Sequence, residues 1–508
     1  MSRADPFLGY AFVLRTILFV LVPAFAIVQL VRLGRALHVF QLEGYKRRRF
    51  LEWCRANKRR ALFLRKPAAK KRLVMTGRAG RILALATILS VLLVLIASAG
   101  AHLAGGAPYD IATWAITTAL VLVGAPLVLV AADALLTPVQ YAINRRYLRA
   151  ARSKLDVIAP LVVGVTGSFG KTSTKFAIEA LIGPGGTALA TPGSFNTPLG
   201  VCRAVNERLE SRHRFFIVEM GAYAVGEIAE LCAFVKPTIG VLTAIGPAHL
   251  ERFGSMDAIR RAKHEIVRSL PNDGVAVMNV DDSEVRALAD GTERVPVVRY
   301  GLDPSGDPDV TAADVQVTAR GTSFTIAASG ESLRVETRLL GRHAIGHILA
   351  AVAVALEAGR SLTDLGGAIT GLTPVEHRLQ LIEGAGGVTV IDDAYNSNPD
   401  GAAAALDVLG AMPARRRLVV TPGIVELGPM QAEANARFGE HAARVADTII
   451  VVAPLNRAAL VSGAARVVGG TAVITTDSLA EATATLSGLL APGDIVLFEN
   501  DLPDQYEG

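Results

Sequence analysis

The chain has 508 residues, 51% hydrophobic, 19% charged and 6% aromatic, with a formal charge of +6. That much apolar side chain with that little charge excludes global disorder, and the length suggests two to four domains at roughly 150 residues each. Three cysteines, Cys54, Cys202 and Cys232, exclude a disulfide framework or a structural zinc site, being odd in number and without a close pair. A mean hydropathy of +0.39 is high for an ordinary cytosolic enzyme and points to membrane spans.

In chain order, Leu8 to Val31 is a first apolar stretch that carries Arg15 and Gln29. The uncharged runs Ile82 to Ala101 and Ile111 to Ala132 follow. At 1.5 Å per residue each run is long enough to cross a hydrocarbon core of about 30 Å. A cleaved signal peptide fits poorly, because no small-x-small site follows the first stretch and the basic segment comes after it. Residues 43 to 81 hold fifteen Lys or Arg, including Lys46, Arg47, Arg48, Arg49, Lys58, Arg59, Arg60, Lys70, Lys71 and Arg72, against only Glu43 and Glu52. The remainder of the chain is therefore net acidic, and the overall basicity says nothing about nucleic acid. Positive-inside bias puts the basic loop in the cytoplasm, residues 104 to 110 outside, and Arg145, Arg146, Arg149, Arg152 and Lys154 back inside. The reading is a multi-pass inner-membrane protein with a membrane region over 1–150 and everything after it cytoplasmic. Attraction to anionic headgroups accounts for the loop's charge, and a lipid-linked pyrophosphate is an alternative target.

After residue 155 the pattern becomes α/β. Short β-branched runs at Leu161 to Val165, Phe215 to Val218, Thr238 to Leu242 and Val275 to Met278 alternate with alanine-rich helical stretches, as βαβ units with a mainly parallel sheet do. Residues 295 to 340, with a strand such as Ser323 to Ala327, read as a small antiparallel elaboration. A second α/β series (Val388 to Ile391, Arg417 to Val420, Thr448 to Val452, Ile495 to Phe498) begins after a Gly/Pro break at Gly371 to Pro374. The domains are therefore 155–371 and 372–508.

Gly164-Val-Thr-Gly-Ser-Phe-Gly-Lys-Thr-Ser173 is a buried strand, a glycine turn and a helix opening at Lys171. Successive N–H groups and the positive helix end converge there on a space sized for phosphate. Gly167, Ser168, Gly170, Lys171, Thr172 and Ser173 are the nucleotide-binding candidates, with Lys171 on the outer phosphates and the Thr172 hydroxyl on magnesium. The spacing departs from the common G-x-x-x-x-G-K-[ST], since Val165 stands at the first glycine.

That T-G-S-x-G-K-T-S spacing resembles the Mur ligase family. Val218-Glu-Met-Gly221, Gly246-Pro-Ala-His-Leu-Glu251, Arg261-Ala-Lys-His-Glu-Ile266 and Ile391-Asp-Asp-Ala-Tyr-Asn-Ser-Asn-Pro399 look most like its D-alanyl-D-alanine-adding branch, which completes the peptidoglycan stem peptide. The resemblance spans about 155 to 500. It implies a P-loop central domain and a Rossmann-like C-terminal domain that activate a carboxylate with ATP and let an amine attack the acyl phosphate. It implies two Mg2+ sites: Glu219 with Thr172 at one, His249 and a carbamylated Lys263 at the other. Without the resemblance Lys263 reads as a solvated helix residue, flanked by Arg260, Arg261 and His264. Asn196 falls near the reacting acyl group, Arg378 on the γ-phosphate, Asp393 on ribose or phosphates, and Tyr395, Asn396 and Asn398 beside substrate. Lys171, Lys263, His249 and Arg378 form the implied catalytic set, and closure of the two domains is expected to exclude water.

The departures are specific. Where the family contacts adenine with a His-Asn-x-x-Asn segment, this chain has Arg342-His-Ala-Ile-Gly-His347, leaving His347 for the base. Glu499-Asn-Asp501 replaces a Lys-Gly-Ser, and Asn435 stands where a histidine is usual. The membrane region occupies the place of the family's UDP-sugar domain, which makes a lipid-linked acceptor attractive beside a soluble cell-wall precursor. The incoming amine is read as an amino acid or dipeptide. A membrane-associated poly-γ-glutamate-type ligase and a nucleotide-binding scaffold with degenerate catalysis remain open alternatives.

Overall fold

The structure, a computed structural model, describes residues 6–63, 72–105, 107–318, 321–395 and 397–502. Lys70, Lys71 and Asn396 lie outside the described residues, as do the side chains of the first apolar stretch up to residue 22. The described residues divide into two units, one running as far as residue 146 and the other over residues 147–502.

The first unit is helical: α1 (Pro6–Leu42), α2 (Arg47–Ala56), α3 (Lys58–Phe63), α4 (Gly77–Gly105), α5 (Ala107–Val123) and α6 (Ala125–Ile158), the last running on into the second unit. Three stretches are long and apolar enough to cross a membrane, Pro23–Leu42, Gly77–Ala101 and Ala125–Ile158. The third differs from the expected 111–132, which straddles a break at Gly124. Pro126 causes it: proline has no N–H and its ring crowds the carbonyl four residues back. The carbonyls freed in this way have partners from α1, since Arg32 Nε donates to Leu122 O at 2.8 Å and Gln29 Nε2 to Val121 O at 3.3 Å. Leu33, Leu37 and Phe40 of α1 pack with Ala79, Ile82 and Ala86 of α4 and Ala125, Leu129 and Ala132 of α6, the alanines allowing close approach. Beside this seam the buried Asp133 carboxylate accepts from Arg47 at 2.7 Å and Arg78 at 2.9 Å. The outer faces carry exposed Ile27, Ile88, Ile96, Leu120 and Leu127.

The second unit holds two sheets. The first elements are β1 (Leu161–Thr166), α7 (Lys171–Ile182), β2 (Ala188–Ala190), α8 (Pro198–Arg208), β3 (Phe215–Glu219), α9 (Glu227–Val235) and β4 (Ile239–Leu242). Next come α10 (Leu250–Phe253), α11 (Met256–Arg268), β5 (Val275–Asn279), α12 (Ser283–Asp290), β6 (Val297–Gly301), β7 (Val310–Thr318), β8 (Gly321–Ala328), β9 (Glu331–Thr337), α13 (Arg342–Glu357) and α14 (Gly366–Thr370). Their sheet runs β2-β3-β1-β4-β5-β6-β7-β8-β9, parallel as far as β7 and antiparallel from β7 to β9. The parallel strands are fully buried runs such as Val162 to Val165, because α7 and α13 cover one face while α8, α9 and α11 cover the other. β1 lies between β3 and β4, so the chain leaves it at a topological switch point, where open α/β sheets place ligands.

The second sheet is built from β10 (Gln380–Glu383), β11 (Thr389–Asp393), α15 (Pro399–Ala411), β12 (Arg417–Thr421), α16 (Gln431–Val445), β13 (Thr448–Val452), α17 (Arg457–Ala464), β14 (Ala472–Thr476), α18 (Leu479–Leu489) and β15 (Ile495–Glu499). Its order is β10-β11-β15-β12-β13-β14, with only β10 antiparallel. Asp393 and Glu499 lie side by side at the ends of β11 and β15.

Candidate functional site

The turn between β1 and α7 has a shape only glycine permits at two points. Gly170 has φ +80° and a Cβ there would come within 2.8 Å of His347 Cε1; a Cβ on Gly167 would collide with the Thr243 hydroxyl. Thr243, beyond β4, fastens the turn by donating to Phe169 O at 2.5 Å. Ser168 departs from its expected role. Its hydroxyl exchanges hydrogen bonds with the Gly246 carbonyl and N–H, both at 2.9 Å, and its own N–H donates to Ala244 O at 2.8 Å. Ser168 therefore clamps the turn to residues 244–246, leaving neither donor for a phosphate. Lys171 Nζ wraps back over the turn onto Gly167 O at 2.6 Å and Ser168 O at 3.0 Å. Burial lowers this ammonium to about 8, against the opposing pull of Glu219.

Glu219, at the end of β3, gathers the neighbouring donors. Its Oε2 accepts from the Thr172 hydroxyl at 2.9 Å and Lys175 Nζ at 3.1 Å, and its Oε1 from Asn196 Nδ2 at 3.2 Å. Burial pushes this carboxyl up, but Lys175 and Lys171 outweigh it and hold it below the usual range, so it is ionised. Lys175, fully buried and also bonded to Gly193 O at 2.5 Å, is a site residue that the motif search missed. The signal was there, because four residues after Lys171 is the same face of α7. Asn196, expected beside the acyl group, is seated on Glu219.

Lys263 is 3% exposed, on the inner face of α11 with Ala258, Ile259, Ala262 and Ile266. This corrects its reading as a solvated residue. Burial first and then Lys171 hold its amine well below the ordinary lysine value, and Glu219 and Glu227 are near enough to pull the other way. His249 is drawn elsewhere: its Nδ1 is hydrogen-bonded to Glu426 Oε2, and its ring meets Tyr223 edge-on at 4.8 Å. Of the four expected metal ligands, Thr172 and Glu219 touch, Lys263 lies within electrostatic reach of Glu219, and His249 faces the C-terminal domain. Among the described residues no group of three or more His, Cys, Asp and Glu could hold a metal. A centre using one histidine, a modified lysine and nucleotide oxygens forms no such group beforehand.

Across the domain junction lies a cavity of about 470 Å³, lined by Gly170, Ser173, His343, His347, Arg378 and Asp393 among others. His347 Nδ1 is 3.1 Å from the Thr174 hydroxyl, and burial drops the His347 and His343 rings to about 3 and about 4, so both are neutral. Neutral imidazoles suit an uncharged base rather than a phosphate. Arg378 stacks on the Tyr395 ring at 4.8 Å, and the Tyr395 hydroxyl is 2.8 Å from Ser194 Oγ of the other domain. Asp393 accepts the Leu379 N–H at 3.0 Å, and burial raises its carboxyl. Glu499 is fully buried behind this wall, accepting the Ser397 hydroxyl; burial and then Asp393 hold it protonated, well above the carboxylate range. Asn398, expected beside substrate, is the N-cap of α15, its Oδ1 accepting the Gly401 N–H at 3.0 Å. Asn435 is fully buried and clasps the loop before it, accepting from Ile424 N and donating to Ile424 O, both at 2.8 Å.

Residues 165–355 match the Mur ligase middle domain and residues 377–499 the Mur ligase, glutamate ligase domain. The chain belongs to the Mur ligase family. This Mur ligase is 38% identical over 360 residues to the UDP-N-acetylmuramoyl-tripeptide–D-alanyl-D-alanine ligase of Mycobacterium bovis, covering 66% of the present chain and 69% of that protein. It is 34% identical over 281 residues to the enzyme of that name from Escherichia coli K12, covering 55% and 62%. The crystal structure of MurF from Acinetobacter baumannii superposes with a TM-score of 0.65 at 27% identity, covering 72% of this chain and 78% of that one. MurF ligase from Thermotoga maritima in complex with ADP gives 0.62 at 26%, covering 70% and 80%. As a member of the family this Mur ligase is an ATP-dependent, ADP-forming enzyme that joins an acid to an amine.

Proposed function

We propose that this Mur ligase adds an amino acid or dipeptide, through its amine, to a carboxylate of a peptidoglycan precursor at the cytoplasmic face of the membrane. The observation that carries the reading is the grouping of Lys171, Glu219 with its Thr172 and Lys175 partners, and buried Lys263 within electrostatic reach of one another, with Arg378 of the C-terminal domain close enough to act on Lys171 and lining a cavity that the Lys171 turn enters through Gly170. The names of the relatives at 38% and 34% identity supply the substrate class.

The chemistry follows from charge. A carboxylate must approach a polyphosphate, and like charges repel unless fixed cations intervene. Lys171 exchanges the turn carbonyls for phosphate oxygens, and Arg378 meets the terminal group from the opposite domain. The acceptor carboxylate displaces ADP from the γ-phosphorus to give an acyl phosphate. The amine, having lost a proton, then attacks the acyl carbon and expels phosphate. The Ser194–Tyr395 contact helps hold the two domains together, keeping water from the acyl phosphate.

The Thr172 hydroxyl and Glu219 carboxylate, two hard oxygen donors 2.9 Å apart, fit a magnesium ion. The family resemblance assigns a second to His249 and Lys263, the uncharged amine of Lys263 adding carbon dioxide and releasing a proton to become an anionic carbamate that would supply oxygen donors. Bound there, magnesium neutralises charge on the transferring phosphoryl group and the acyl oxygen. The apolar outer faces of the helices in the first unit, with the basic loop, support a multi-pass inner-membrane location with the ligase domains inside. They favour an acceptor that is itself near the bilayer, including a lipid-linked one.

The test is to incubate the detergent-solubilised protein with ATP, magnesium, UDP-linked and lipid-linked muropeptides and a pool of amino acids and dipeptides. Mass spectrometry should find one adduct equal to acceptor plus amine minus water, with ADP and phosphate. AMP with pyrophosphate would rule the route out, and long homopolymers would replace this reading with the poly-γ-glutamate type. Reporter fusions after residues 60, 106 and 160 should report inside, outside and inside.

A further inference from the structure

His249 and Glu426 are 177 residues apart, yet the middle domain's 249–252 segment and the C-terminal domain's Glu426 grip each other through three sets of atoms. Glu426 Oε2 is hydrogen-bonded to His249 Nδ1, Glu426 Oε1 accepts from Arg252 at 2.9 Å, and the Glu426 carbonyl accepts the Glu251 N–H at 3.4 Å. Both His249 (φ +59°) and Glu426 (φ +65°) sit in the left-handed region, where a residue with a Cβ is held at a cost only by its surroundings. Arg252 also stacks on Tyr223 at 4.5 Å, so the imidazole has little freedom. A carboxylate on Nδ1 fixes that nitrogen as the protonated one and leaves the Nε2 lone pair as the ring's ligand atom; metal-binding histidines are oriented by such a partner.

The geometry points to Glu426 as a positioning residue for the second cation: the C-terminal domain reaches across the junction, sets the tautomer and orientation of His249, and thereby makes that cation site complete only when the two domains meet. This rests on the reading of His249 as a cation ligand. It assigns Glu426 no contact with substrate or metal; its action passes through the ring.

The test uses full-length protein in detergent with a non-hydrolysable imido analogue of ATP, titrating Mn2+ and counting bound ions by electron paramagnetic resonance. The unaltered protein should bind two Mn2+ per chain. Glu426→Ala should weaken one site by about 10- to 100-fold and leave the other unchanged, a selectivity that general loosening would not produce. Glu426→Gln, which keeps size and an acceptor oxygen, should weaken the same site less, and it is the variant to read should truncation prevent folding. If His249→Ala weakens one site while neither Glu426 variant does, the inference fails and the ligand reading survives. If His249→Ala leaves both sites untouched, or the unaltered protein binds one Mn2+, the ligand reading fails and the inference with it.

Discussion

The two sides of the domain junction are made differently. On the middle-domain side, the turn at 167–170 is stapled to residues 243–246, and Glu219 is ionised among its donors, Lys175 included. On the C-terminal side the buried pair Asp393 and Glu499 is raised rather than lowered, and the backbone at His377, Leu379 and Asn500 has positive φ. One side stores its charge ready for phosphate; the other stores backbone strain and a shared proton. The difference teaches that the phosphate end is preorganised by a single domain, whereas whatever completes the reaction depends on how the second domain is held.

The sharpest way to break this contrast is Lys171→Ala, which should lower ADP formation by at least ~100-fold while leaving the melting temperature nearly unchanged. Arg378→Ala should cut kcat by on the order of 100-fold and change nucleotide affinity much less, read as a KM-against-kcat split; a raised KM with kcat unchanged would make it a binding group only. Lys171 sharpens the first side through pH. With its ammonium lowered to about 8, the lysine is charged below that pH and neutral above it. Nucleotide affinity measured by calorimetry should therefore fall by roughly tenfold per unit above about pH 8, with proton uptake on binding. Tyr395→Phe deletes the hydrogen bond to Ser194 and should raise the KM for ATP by about fivefold, the worth of ~1 kcal/mol.

Glu499 gives the smallest effect and the cleanest sign. Its folded value is raised, so its proton is retained at neutral pH, and folding stability contributed by the protonated form declines as pH climbs above the ordinary glutamate value. Glu499→Gln should leave the unfolding free energy at pH 7 within about 1 kcal/mol and flatten its decline toward alkaline pH, whereas Glu499→Lys, which restores the cation usual in the family, should destabilise the protein.

The phosphate side was legible in the sequence because its parts are contiguous: strand, glycines, Lys171 and Thr172 follow one another, and each has a local reason to be there. The β-branched runs likewise located the central strands of both sheets to within a residue or two at most ends, while the short or edge strands β2, β6, β7, β9, β10 and β14 were not read individually. The C-terminal side was legible only as residue types. That Glu426 engages His249, that Asn398 caps a helix and that Ser168 serves Gly246 are facts of three-dimensional pairing between segments with no periodic relation. Lys263 was misread for a similar reason, since charged neighbours in sequence point to other faces of α11. The kink at Gly124 was missed because hydropathy counts residues and does not weigh the missing N–H of Pro126.

One consequence of the Glu219 cluster concerns the order of loading. Lys175 is an internal counter-ion to Glu219, so a divalent cation binding this carboxylate, as proposed, would have to compete with a tethered ammonium. Arriving as a chelate with its triphosphate, the same ion brings anionic company for Lys171 and Lys175 alike. On the proposed reading, the enzyme would answer to the chelate rather than to free divalent ions, and its readiness would follow nucleotide supply.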